Sequence, residues 1–462
     1  MKAGNDQTGQ RPGGRVTVRR SAADGTRRPR HGEVLELFLF VVAATIVGGV
    51  TGLVAASFRL LLDFVASLRQ SLSQWSHGYT FLGLLLMMAV CGLATAIAAW
   101  LVHRVEPHAE GSGIPRVEAI VEGRTEPGRF RILPIKYLGG LLAIGAGLAL
   151  GREGPSVQMG GTIAVATSRI LRRNRADMQI LVAGGAAAGL ATAFNAPLAG
   201  GVFVLEELFK RFDLRTTLAT IVASGAGFAC AQVLIRNTAD FTTPQFQAPR
   251  IADAPAVVVV GILCGILGVA YNRAIMASLR YVDASKIPVV VRALAIGAAV
   301  GALGWFAPQV VGGGDNLTQQ ALLGHGTLLS ACILLAVRFA LGVLSYAATT
   351  PGGLFAPMLV LGTDIGLIVG LAGSYISPGH APEAAGLALI GMAAFFTATV
   401  RAPVTGLVLA TEMTGSVVLL PPMLGACAVA MLVAMLFKSE PIYDALTSRA
   451  AQAARRNADD AT

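Results

Sequence analysis

The sequence predicts an all-α polytopic membrane protein made of two related halves. Three observations predict it. Of the 462 residues 54% are hydrophobic and only 13% charged, with a mean hydropathy of +0.65. Apolar stretches recur near the ~20 residues needed to cross hydrocarbon. A pair of short motifs occurs twice, in the same order.

Taken in order, the long apolar stretches cover residues 35–62, 81–102, 216–234, 254–271, 289–306, 328–344 and 419–437, and each is expected to span. Shorter ones lie at 134–150, 160–171, 179–193, 196–209, 355–371 and 384–400. Gly, Pro and charged residues interrupt them, as in helices that enter a membrane and stop part-way. The repeat falls among these broken segments. GREGPSVQMG at 151–160 and GLFAPMLVLG at 353–362 share Gly at the first position, Pro at the fifth and Gly at the tenth. APLAGGVFVLE at 196–206 and APVTGLVLATE at 402–412 share Ala-Pro, a Gly and a terminal Glu. The halves are placed at about 35–236 and 253–437, joined by RNTADFTTPQFQAPRIADAP. Such doubling points to a transporter with its site between the halves. Spacing alone leaves open whether they run parallel or inverted.

The net charge of +10 would suit a nucleic-acid partner, but its placement argues against one. Residues 1–32 hold eight Lys or Arg against two Asp and no apolar run, which reads as a disordered basic tail on the cytoplasmic side. Residues 448–462 form a second polar tail with Arg449, Arg455 and Arg456, expected on the same side. The membrane domain is set at 33–447, and no C-terminal regulatory domain is expected in the short stretch beyond it. The five cysteines (Cys91, Cys230, Cys264, Cys332, Cys427) sit in apolar runs and read as small core residues, not a disulfide framework. The six histidines lack paired-ligand spacing, so neither metal nor cofactor is expected.

Three interruptions share one physics. GSGIP at 111–115, GREGP at 151–155 and GLFAP at 353–357 place Pro at the start of a helix, where its missing N–H costs nothing. The remaining free N–H groups and the helix dipole make an anion site that needs no cation. Gly-x-x-x-Pro occurs six times in the chain, so context decides. The motifs at 151 and 353 open apolar segments at matching places in the repeat. Glu153, inside GREGP, is an acid where acids are expensive.

GSGIP at 111, GREGP at 151, GGLFAP at 352 and EPIYDAL at 440 resemble, in order and spacing, the signature motifs of the CLC family of chloride channels and chloride/proton antiporters. The resemblance covers residues 35–447. It implies an inverted repeat of tilted, partly re-entrant helices, a homodimer with one pore per subunit, and both ends in the cytoplasm of the cell. It further implies that Ser112 and the backbone amides of Leu354 and Phe355 hold the central anion, with Tyr443 closing that site on the inner side. Glu153 matches the gating glutamate, and Glu207 the internal proton glutamate that distinguishes exchangers from channels. Glu206 would support the proton path. Glu118 and Lys136 match a buried ion pair. Arg116, directly after GSGIP, stands where many bacterial members carry an acid.

Plainer readings stand beside these. Glu153 could be neutralised by Arg152 in a structural turn. Glu206 and Glu207 have Lys210 and Arg211 at i+4, the spacing of ordinary helix ion pairs. Ser112 could cap a turn, and Tyr443 could anchor an interface. The functional expectation is chloride/proton antiport in the inner membrane, against a passive chloride channel of the same fold. An intramembrane hydrolase using Ser112 with His103 or His108 lacks a second catalytic motif. A cation/proton antiporter would need no exposed amides.

Overall fold

The computed structural model describes residues 31–210, 212–235, 239–378 and 381–459. It divides into a short unit, Met1–Leu39, and a unit Phe40–Thr462 that carries the site. Nearly all of the expected basic tail, the last residues of the C-terminal tail and Arg211 lie outside the described residues.

The described residues form seventeen α-helices and no strand. In the first half these are α1 (His31–Ser76), α2 (Thr80–Arg104), α3 (Ile114–Val121), α4 (Ile132–Gly145), α5 (Glu153–Ile170), α6 (Arg175–Phe194), α7 (Pro197–Phe203) and α8 (Leu214–Ala231). The second half holds α9 (Ala254–Ala284), α10 (Val289–Phe306), α11 (Asp315–Leu322), α12 (Leu328–Tyr346), α13 (Phe355–Ile376), α14 (Ala384–Val400), α15 (Pro403–Thr414), α16 (Leu420–Leu436) and α17 (Ile442–Asp459). The expected first span is the start of a 46-residue helix, about 69 Å long at ~1.5 Å per residue. Two segments expected to stop part-way, α6 and α13, reach 20 and 22 residues, long and apolar enough to cross. Protein surrounds them: 83% and 78% of their most apolar windows is buried.

The contacts resolve the direction of the repeat. α7 continues into a π-helical turn, Val204–Leu208, whose Glu206 carboxylate accepts from the amides of Val404 (3.0 Å) and Thr405 (2.7 Å) at the start of α15. Glu412, near the end of α15, accepts from the amides of Leu198 (3.0 Å) and Ala199 (2.6 Å) at the start of α7. Each segment lays its C-terminal acid on the other's N-terminus, so the two run antiparallel and the repeat is inverted. The shared tenth-position glycines have a matching explanation. A Cβ on Gly160 of α5 would strike the carbonyl of Gly185 in α6, and one on Gly362 of α13 would strike that of Gly391 in α14. Both halves use the missing side chain to bring two helix backbones into contact.

Of the cysteines, Cys91, Cys264 and Cys427 are buried as expected and Cys230 is half-buried, whereas Cys332 is exposed.

Candidate functional site

The three glycine-rich interruptions, far apart in sequence, meet in space. The amide of Gly111 donates to the carbonyl of Thr350 (3.2 Å) and that of Gly352 to Gly111 (3.0 Å). Gly151 and Gly353 exchange both backbone hydrogen bonds, each 2.8 Å. These bridges tie together the starts of α3, α5 and α13, so free helix amides from both halves face one region. Gly113 precedes α3 with φ +79°, a left-handed turn that favours glycine.

Glu153 opens α5 and is only 2% exposed. Its carboxylate lies beside its own amide and that of Ala356, in the first turn of α13. Arg152 does not neutralise it by a direct bridge: its guanidinium donates to Ala193 (3.1 Å) and pairs with Asp315 (3.2 Å) and Asp240 (3.7 Å). A cavity lined by Asp63, Arg69, Arg152, Gly312 and Asp315 leads to Glu153 from one side. Ser112 is buried against the next residue, since a Cβ on Gly154 would lie 2.8 Å from that of Ser112. Its Oγ accepts from the Ile114 amide at 3.3 Å, so the turn-capping contact is present. Leu354 and Phe355 are fully buried at the head of α13. The Phe355 ring packs against Phe194, Phe203, Phe396 and Tyr443 at centroid distances of 4.9–6.0 Å. Tyr443 is fully buried, and its hydroxyl has no hydrogen-bond partner among the described residues. That burial rules out the interfacial-anchor reading.

Glu207 lies in the same π turn as Glu206, is 5% exposed, and has one carboxylate oxygen without a partner. Lys210, Glu118 and Asp444 surround it. Helical i+4 pairing of Glu206 with Lys210 does not form. Lys210 has left the helix, with φ +52°, and pairs with Asp444 (3.0 Å) and Glu118 (3.5 Å). Glu206 is committed to the start of α15, where Thr405 Oγ1 also donates to it at 2.7 Å.

The expected ion pair of Glu118 with Lys136 is corrected. Lys136, with no exposed surface, donates to the carbonyls of Ala109 (3.1 Å), Glu110 (3.5 Å) and Gly111 (2.6 Å). Glu118 instead meets Lys210, Arg124 (3.5 Å) and the Thr447 hydroxyl (3.1 Å). Three carbonyls satisfy an ammonium's three donors, so Lys136 fixes the segment entering GSGIP while Glu118 ties α3 to α17.

Two contributors were missed. Glu412 is the counterpart of Glu206, and the shared terminal Glu of the repeat was the available signal. Arg338, 1% exposed, donates to Val310 (2.9 Å), Gly312 (2.8 Å) and Gly313 (2.7 Å), holding the loop that lines the cavity beside Glu153. The available signal was a lone arginine inside the apolar stretch 328–344, where a charge is expensive.

Free amides from two inverted halves, converging on a buried carboxylate within apolar helices, define a membrane protein built to handle a small anion. The chain belongs to the voltage-gated chloride channel family, whose model matches residues 94–435. It is 36% identical over 421 residues to the H(+)/Cl(-) exchange transporter ClcA of Vibrio parahaemolyticus, covering 89% of this chain and 90% of that one. To the H(+)/Cl(-) exchange transporter ClcA of Salmonella paratyphi A it is 34% identical over 442 residues, covering 94% and 93%. A slow cyanobacterial Cl-/H+ antiporter of solved structure aligns with TM-score 0.85 and 31% identity, over 92% of this chain and 99% of that one. A CLC-type fluoride/proton antiporter shares the fold, with TM-score 0.71 at 21% identity over 90% and 99%. The family is one of transport, not catalysis. The hydrolase reading also fails locally, because the His108 ring is held by Glu106 (2.7 Å) and no hydrogen bond joins it to Ser112 among the described residues.

Proposed function

We propose that this protein is a secondary active antiporter that exchanges chloride for protons across the cell's inner membrane. It works as a homodimer with one pathway per subunit and both termini in the cytoplasm. The observation that carries the reading is the Glu153 carboxylate lying beside helix-start amides from both halves. A carboxylate there takes the place an anion would take. Protonated, it no longer competes, and it can leave carrying a proton.

In this reading chloride is held by the Ser112 hydroxyl, the amides of Leu354 and Phe355, and the Tyr443 hydroxyl. Glu207 receives protons from the inner side, since it stands among charges at the junction with α17. A buried acid with an unpaired oxygen is costly unless protonated or in exchange with water, which suits a proton port and disfavours a passive channel. Glu206 serves as a helix clamp, not a proton carrier. The dimer reading gains support from exposed Leu198 (64%) and Val404 (51%), which flank the half-buried Glu206 and Glu412 on a face a second copy would cover.

The test is purified protein in liposomes, with chloride efflux and proton uptake followed together. Proton uptake driven uphill by a chloride gradient is expected. Chloride efflux with no coupled proton movement would leave the channel reading in its place.

A further inference from the structure

At the α17 side of the molecule, a cavity of about 820 Å³ opens between the C-terminal part of α9 and the junction of α16 with α17. Four cations line it: Arg273, Arg280, Lys438 and Arg449. Arg449 is spent on Asp283, which it grips through two hydrogen bonds of 2.9 and 2.6 Å. Arg273 gives one N–H to the Phe437 carbonyl (3.0 Å). Arg280 and Lys438 have neither an ion pair nor a side-chain hydrogen bond among the described residues. With Asp283 already paired, Glu440 is the one unpaired acid on the lining, so positive charge remains in excess. Basic residues on the cytoplasmic face of a membrane protein are ordinary. A concave cluster of them at the end of an exposed apolar helix is not. The last turn of α16 runs directly into Lys438, with Leu436 72% and Phe437 49% exposed just before it, and Met276 adds an apolar side chain to the cavity lining. A soluble phosphate would use the cations alone. Cations and exposed hydrocarbon together suit a ligand with an anionic head and an acyl chain.

We propose that this cavity binds the headgroup phosphate of an anionic phospholipid on Arg280 and Lys438, with an acyl chain along the end of α16, and that occupancy modulates transport. The route to the pathway is short. Lys438 is the second residue of the five-residue link, 437–441, that leads to α17, with a left-handed φ of +49°. The carbonyls of Ser439 and Glu440 in that link are held by Arg401 (2.6 Å) and Asn272 (3.3 Å). Tyr443 follows in the first turn of α17. The transport consequence rests on the antiporter reading above; the binding does not.

The experiment compares the parent protein with the double variant Arg280→Gln/Lys438→Gln, a charge-keeping variant Arg280→Lys/Lys438→Arg, and a control, Arg129→Gln/Arg131→Gln, that removes equal charge outside the cavity. Each is placed in phosphatidylcholine vesicles with and without about one-fifth phosphatidylglycerol, and native mass spectrometry counts retained phosphatidylglycerol. The parent, the charge-keeping variant and the control should retain the lipid and change chloride flux by about twofold or more when it is present, on the scale of about 1 kcal/mol per basic contact. The double variant should retain none, and its flux should be the same in both membranes. Lipid retention and flux response in the double variant equal to the parent's would overturn the proposal. So would an equal loss in the control, which would mean surface charge alone, or displacement of the lipid by millimolar inorganic phosphate, which would mean a phosphate site. If the parent moves no chloride yet loses its lipid only in the double variant, the binding site stands and the antiporter reading falls.

Discussion

Glu206 and Glu207 are adjacent acids on one π turn, and their surroundings assign them opposite consequences when neutralised. The Glu206 carboxylate accepts three hydrogen bonds, from the Val404 amide (3.0 Å), the Thr405 amide (2.7 Å) and Thr405 Oγ1 (2.7 Å). Glutamine offers one carbonyl oxygen in place of two carboxylate oxygens, and its NH2 would face a donor. Glu206→Gln therefore loses one or two charge-assisted bonds, each worth about 1.5–3 kcal/mol, and about 0.3–1 kcal/mol of interaction with the α15 dipole. A total of about 2–7 kcal/mol is expected. Glu207 has an oxygen without a partner and other carboxylates nearby, so Glu207→Gln should change stability by less than about 1 kcal/mol. Thermal unfolding in detergent, followed by tryptophan fluorescence, reads both stability changes, and paired chloride and proton fluxes in liposomes read the transport roles. Glu206→Gln should unfold at a clearly lower temperature with its proton-to-chloride ratio unchanged. Glu207→Gln should keep its unfolding midpoint and its chloride flux while proton transport is lost. A Glu206→Gln protein of parental stability that no longer moves protons would refute the assignment of roles.

Three further expectations follow from the same geometry. Glu153→Ala removes the carboxylate that competes with the anion, so chloride flux should continue while coupled proton movement disappears; chloride accumulation driven by a pH gradient in this variant would contradict it. Ser112→Pro deletes a hydroxyl and a backbone N–H from a buried turn, and the nitrate-to-chloride flux ratio should rise, whereas an unchanged ratio in folded protein would leave Ser112 only its cap to Ile114. Gly362→Ala puts a methyl against the Gly391 carbonyl and 2.9 Å from Met392 Cα, so a loss of about 1–3 kcal/mol is expected, with a comparable loss for Gly160→Ala; unchanged unfolding midpoints would show that the helix pairs can separate freely.

Backbone features were legible in the sequence because they are written in residues that act locally. A proline at the head of an apolar helix and a glycine before it state where N–H groups go free, and the three motifs that carry this pattern are the ones that meet. Partner choice among charged side chains was not legible, because it depends on which turn a residue occupies after the helix ends. Lys210 shows why. The i+4 rule assigned it to Glu206, but that rule holds only while the helix continues, and here a π turn ends at Leu208 and Lys210 turns left-handed. Its ammonium is thereby delivered to Asp444 and Glu118, leaving Glu206 to reach across to α15. Lys136 follows the same logic: an ammonium inside the membrane needs three acceptors, and three successive carbonyls ending at the first glycine of GSGIP supply them where a lone carboxylate could not. Lys136 and Glu206 are thus consumed in fixing backbone, and Lys210 in bridging two carboxylates. Three buried acids remain that no cation bridges directly among the described residues, Glu153, Glu207 and Asp364; the antiporter reading puts the first two on the anion and proton routes, where an acid so placed can gain and lose a proton.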